Sequence, residues 1–156
     1  MARITAEQKA QKKQAMDKKI LSIFLEEGWG AVTYDRLAKE FNTRKSSIQA
    51  YYSSNIMFAT ALQGKVLPMV VPLLNFHSKE SFVQSWLSAY DDPENHIFQE
   101  LVNMLLENII KDGSSPYSRG AIVNIHHLLE QNMTKEEAET AIKSVFGEMM
   151  YKKIFN

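Results

Sequence analysis

The chain has 156 residues, with 18 Lys and Arg against 18 Asp and Glu and no cysteine. That length can bury one sizeable core, or a small domain plus a second one, and the lack of cysteine excludes disulfides and thiolate chemistry. The N-terminus is charged with no apolar run before a cleavage-like site, and the longest near-continuous apolar stretch, 66–74, is too short to span a bilayer and holds Pro68 and Pro72, so a cytoplasmic protein without a membrane partner is expected.

The neutral total hides a split. Residues 1–65 carry 11 Lys and Arg against 6 acids, a net of +5, while 66–156 carry 7 against 12, a net of −5. A basic N-terminal third is the electrostatic footprint of a nucleic-acid module. The lysines over 9–19 read either as a solvated tail or as phosphate contacts beside the motif that follows.

Ile20, Leu21, Phe24 and Leu25 form an apolar face at helical spacing. Gly28 ends that helix, because glycine takes the left-handed conformation a helix stop often needs. Thr33 can cap a second helix with its hydroxyl, and Leu37, Ala38 and Phe41 are its buried side. Asn42-Thr43-Arg44 is a short polar turn. A third helix is predicted over 45–52. Ile48, Tyr51 and Tyr52 face inward there, which leaves Lys45, Ser46, Ser47, Gln49 and Ala50 outward. Two short helices joined by a tight turn behind a longer one make a helix-turn-helix. The second has the size that fits a DNA major groove.

A fourth helix is predicted over 54–67, with Phe58, Leu62 and Val66 on one face. Pro68 and Pro72 then interrupt it, since proline lacks a backbone donor and clashes with the preceding turn. Ser78 caps a helix over 79–90 whose apolar residues are Phe82, Val83, Trp86 and Tyr90. Asp92 and Pro93 open another that ends at Gly113. Its broad apolar set, Ile97 to Ile110, implies burial on more than one side. A loop at 113–116 precedes a helix over 117–131, and Thr134 with Glu137 forms a capping box for the last helix. No strand pattern is present, so the fold class is all-α.

The last two helices carry more apolar surface than so small a domain needs. Ile122, Ile125 and Leu129 on one, and Ile142, Val145, Phe146 and Met149 on the other, either line the protomer's own core or pack against a second copy as a four-helix bundle. His126 and Glu130 lie one helical turn apart but lack a third ligand at useful spacing. Asp91 and Asp92 read as helix capping. No nucleotide-cradling glycine loop or nucleophile motif occurs. No catalytic residue, metal or cofactor is expected, and the chain does not read as an enzyme.

Taken together, Phe24, Gly28, Thr33, Leu37, Ala38, Phe41, Lys45, Ile48, Tyr51 and Tyr52 resemble in order and spacing the DNA-binding domain of TetR-type bacterial transcription regulators, over 18–60. The chain departs from that family's pattern at Gln49, usually Tyr, at Asn55, often Lys, at Asn42, often Gly, and at Arg44, often a small capping residue. The resemblance implies a helix-turn-helix domain over 1–54 and a C-terminal helical domain over 55–156 that dimerises through its last helices. It implies DNA contacts from Thr33, Tyr34, Arg44, Lys45, Ser46, Ser47, Gln49, Ala50 and Tyr51. A small apolar effector in the C-terminal bundle would meet Phe76, Phe82, Trp86, Tyr90, Phe98 and Met104. The same aromatic stripe at helical spacing also reads simply as core, and that is the favoured reading. The helix over 54–67 would then link effector to DNA. The function expected is a homodimeric repressor on a palindromic operator in double-stranded DNA. The alternative, kept open by Gln49 and Asn55, is a helical protein-interaction module that has lost specific DNA binding.

Overall fold

The structure, a computed structural model, describes residues 3–113 and 116–156. The centre of the loop expected at 113–116 lies outside the described residues. Every regular element among those described is helical. They divide into two compact units between Lys65 and Val66, later in the chain than the boundary expected after Ser54.

In the N-terminal unit, α1 (Ala6–Glu27) opens on a capping box. The Thr5 hydroxyl accepts from the Gln8 N–H, and the Gln8 side chain accepts from the Thr5 N–H. It stops at Gly28, whose φ of 93° is open to glycine and whose N–H donates to the Phe24 carbonyl. Met16, Ile20, Ile23 and Phe24 are its buried stripe. Ile23 takes a core place that the expected face had not assigned, and Leu21 and Leu25 are only half-buried. A 3-10 turn, Trp29–Ala31, leads to α2 (Tyr34–Glu40). The turn after α2 holds Asn42 at φ 48°, a left-handed conformation that asparagine tolerates better than most residues. The third helix, α3 (Lys45–Gln49), is shorter than expected, and Tyr51 and Tyr52 follow it in a turn.

No continuous helix forms over 54–67. A 3-10 helix, Asn55–Ala61, packs on α1, the chain turns at Gly64 with φ 71°, and α4 (Leu67–Val70) and a 3-10 turn, Val71–Leu73, follow. Two residues account for the break. Gly64 takes a conformation foreign to a right-handed helix. The ring of Pro68 would clash with the carbonyl four residues back in a continued helix. Phe58, Leu62 and Val66 are nonetheless all buried, so the apolar spacing gave the inward face while the helix type differed.

The C-terminal unit continues with α5 (Lys79–Asp91), α6 (His96–Asp112), α7 (Pro116–Glu130) and α8 (Lys135–Phe155). Ser78 and Thr134 cap α5 and α8 with their hydroxyls, and Glu137 completes the box at α8. Asp92 caps a 3-10 turn, Pro93–Asn95, ahead of α6. α8 packs on α5 and α7, and α6 on α5 and α7. Phe82, Trp86, Phe98, Leu129, Val145 and Met149 are buried there. Among the described residues no helix is long and apolar enough to cross a membrane.

Candidate nucleic-acid interface

Two features hold α2, one within the helix and one that ties it to α1. The first is the cap: the Thr33 hydroxyl accepts from the Arg36 N–H at 3.0 Å. Thr33→Ala should therefore destabilise the unit by about 0.5–2 kcal/mol. Hydrogen exchange of the α2 amides reads this directly, and unchanged exchange would remove the capping role. The second anchor is Arg36. Its guanidinium forks onto Glu27 at 2.6 and 2.9 Å and reaches Glu40 at 2.9 Å, while Lys19 lies 3.6 Å from Glu40. Hydrogen bonds from Arg36 hold both carboxyls below the usual range. The sequence carried only one local sign of this network, the i,i+4 spacing of Arg36 and Glu40.

The inner side of α3 is held by Ile48 and Tyr52, both without exposure. The Tyr52 hydroxyl donates to Asp17 of α1, which also pairs with Lys13 at 2.9 Å. Burial, and then the hydrogen bond to that carboxylate, push the Tyr52 phenol pKa up. With a sequence separation of 35 between the partners, no local pattern could have revealed this bond.

The outer side follows from these anchors. Arg44, Lys45, Ser46, Gln49 and Ala50 are exposed, and Ser47 and Tyr51 are half-buried. Lys45 lies 3.5 Å from Asp35 of α2. Tyr34, expected among the DNA contacts, is engaged differently. Its ring packs 4.9 Å from that of Phe58, and its hydroxyl donates to the Tyr52 carbonyl at 2.6 Å. Burial raises its pKa. The bond to the Tyr52 carbonyl ties Tyr34 to the residues after α3.

In the C-terminal unit, the residues expected to line an effector pocket stack on one another. Ring centroids lie 5.7 Å apart for Phe76 and Phe82, 5.8 Å for Phe82 and Trp86, and 5.0 Å for Trp86 and Phe98. The Trp86 N–H donates to the Met149 sulfur. Met104 is buried, and the Tyr90 hydroxyl donates to Asn103. The crevice beside Trp86, walled by Phe82, Ile122, Ile125, Ile142, Val145 and Phe146, has no room for a water molecule. Phe82, Trp86, Phe98 and Met104 are core here, while Phe76 and Tyr90 are half-buried. The expected dimer residues are placed likewise. Ile125, Leu129, Ile142, Val145 and Met149 are buried within the protomer itself, because α8 turns that face onto α5 and α7. Only Ile122 and Phe146 of that set are half-buried, and the Phe146 ring stands edge-on to Trp86 at 5.9 Å.

Residues 63–152 match the family of the tetracycline repressor LuxT C-terminal domain. No curated protein matches the chain.

Proposed function

The chain belongs to the tetracycline repressor family, through a LuxT C-terminal domain over 63–152, and from that premise we propose that it represses transcription as a homodimer bound to a palindromic operator. The observation that carries the reading is the two-sided construction of α3. Ile48 and Tyr52 are buried beneath it, while Ser46, Gln49 and Ala50 are exposed side by side on its outer edge. Such an edge can enter a major groove without disturbing the packing behind it. Gln49 is the base reader, since its amide can pair with an adenine edge in two places. Thr33, Arg44, Lys45, Ser47 and Tyr51 surround that edge and serve as phosphate contacts, which set register and orientation. The net +5 of residues 1–65 adds attraction independent of sequence.

An electrophoretic shift on the DNA flanking the protein's own gene, repeated across salt concentrations, tests the reading. A shift that weakens steeply with salt is expected. No shift even at low salt would leave a helix-turn-helix that serves protein contacts. Gln49→Ala should lower discrimination at one base pair by about 1–3 kcal/mol. Binding-site selection with that variant would overturn the assignment by returning an unchanged motif.

The dimer is proposed on the outward faces of α7 and α8, since the inward faces are occupied. Gly120, Val123 and His127 lie along one, and Gly147, Met150, Tyr151 and Ile154 along the other, at helical spacing. Repression follows from occluding polymerase at the operator.

A further inference from the structure

We propose that the N-terminal unit carries a binding site for an amphiphilic carboxylate of the medium-chain fatty-acid class, in the groove between α1 and the α2–α3 turn. The groove is open to solvent along one side and offers about 670 Å³, inside the roughly 300–1,000 Å³ range of small-molecule sites. Its apolar part is built by Met16, which is buried, Phe41, which is half-buried, and the small side chains of Ala15 and Ala50. Lys9 and Lys12 also line it, and no acidic residue does. Among the described residues neither lysine is paired with a carboxylate, whereas Lys13 is held by Asp17 and Lys19 lies beside Glu40. The Lys9 ammonium stands 5.9 Å from the centre of the Tyr51 ring, which keeps its charge at the wall of the groove.

These features select the ligand by chemistry. An apolar hollow bordered by unneutralised cations suits a hydrocarbon chain that ends in a single negative charge. The chain leaves water against Met16 and Phe41, and the carboxylate takes charge-assisted hydrogen bonds from the lysines. A bare phosphate gains nothing from the apolar part. The groove also shares Ser47, Ala50 and Tyr51 with the outer side of α3, so an occupant stands where DNA is proposed to lie. Binding would release DNA by direct competition, a consequence that rests on the proposed function. The crevice beside Trp86 offers no such volume.

Decanoate is the probe, with decanol and inorganic phosphate as controls, and amide chemical shifts of the full chain are the readout, without DNA. Saturable shifts at Thr43, Ala50 and Tyr51 are expected with decanoate. The double variant Lys9→Ala with Lys12→Ala should weaken them about tenfold or more. Ala15→Trp, at an exposed helix position, should block the groove without touching its charges and abolish them. Four results overturn the site: no shifts, shifts confined to 66–156, equal affinity for decanol, or equal saturation of the same amides by phosphate. The last would mark a seat for the DNA backbone. Operator DNA is added only afterwards. Its apparent affinity should fall in proportion to decanoate, and a complex that holds both ligands overturns the competition while leaving the site. A chain that binds decanoate but never DNA upholds the site and sinks the repressor.

Discussion

Phe58→Ala should destabilise the N-terminal unit by about 3–5 kcal/mol. Phe58 has no exposed surface, and its ring lies 4.9 Å from that of Tyr34 and 5.0 Å from that of Tyr52. Truncation removes both ring contacts and leaves a hole that the surrounding helices cannot fully close. A unit of 65 residues is stable by only roughly 3–10 kcal/mol at ordinary values per residue. The change therefore takes from about a third of that margin to all of it. Tyr52 and Tyr34 hold the chain just after α3, so DNA affinity should fall with the fold, at every sequence alike. Hydrogen exchange separates this from a local effect. Protection should drop throughout α1, α2 and α3, including at Ile20, Leu37 and Ile48. If those amides keep native protection, the 3-10 segment Asn55–Ala61 contributes little to the unit, and the division of the chain would belong nearer Ser54.

That segment also marks the limit of what local pattern could reveal. Caps are short-range devices, and Thr33, Ser78 and Thr134 were each legible from one residue and its neighbours three positions on. Helix stops at glycine were legible for the same reason, as at Gly28. The course of the chain after Ala61 was not. Phe58, Leu62 and Val66 fit a helical stripe, and the stripe is buried. Yet the left-handed backbone at Gly64 and the proline at 68 act together to end helical hydrogen bonding before the second turn of the stripe is complete. At the candidate interface, Ile48 and Tyr52 were legible as inward residues, and so was the exposed edge with Ser46 and Gln49. Tyr34 was not, because its partner is the Tyr52 carbonyl, 18 positions away. The C-terminal helices were ambiguous for another reason. α8 is apolar on two sides, and periodicity alone does not say which side meets the protomer's own core. The side with Ile142, Val145 and Met149 does.

The other side of α8 supplies the second large effect, loss of the proposed dimer in Gly147→Leu and in Ile154→Glu. Gly147 sits in the middle of a 21-residue helix, where glycine costs about 0.5–1 kcal/mol relative to alanine. Nothing in the protomer requires it. A Cβ there would meet no atom within 4 Å, and the same holds for Gly120 in α7. Close approach by a second copy of the helix gives both glycines a use, since a residue without a side chain lets two helix axes near each other. The neighbours on that face agree. Met150 is 45% exposed, Tyr151 63% and Ile154 70%, and Val123 on α7 is 38% exposed. Two-fold symmetry places every substitution in the seam twice. Losing the burial of Ile154 alone then costs roughly 3–6 kcal/mol per dimer, which is about a hundredfold or more in dissociation constant. The protomer should be untouched by Ile154→Glu, because that side chain is already in water. Gly147→Leu should make the isolated protomer slightly more stable through helix propensity alone. This opposition separates a seam from a core. Phe146→Glu offers no such separation, since its ring packs on Trp86 and a charge there would unfold the protomer first. Light scattering should report monomer for Gly147→Leu, with native helix content and a melting temperature that no longer depends on protein concentration. A dimer of native affinity in both variants would move the seam off this face and leave the two glycines without a physical account.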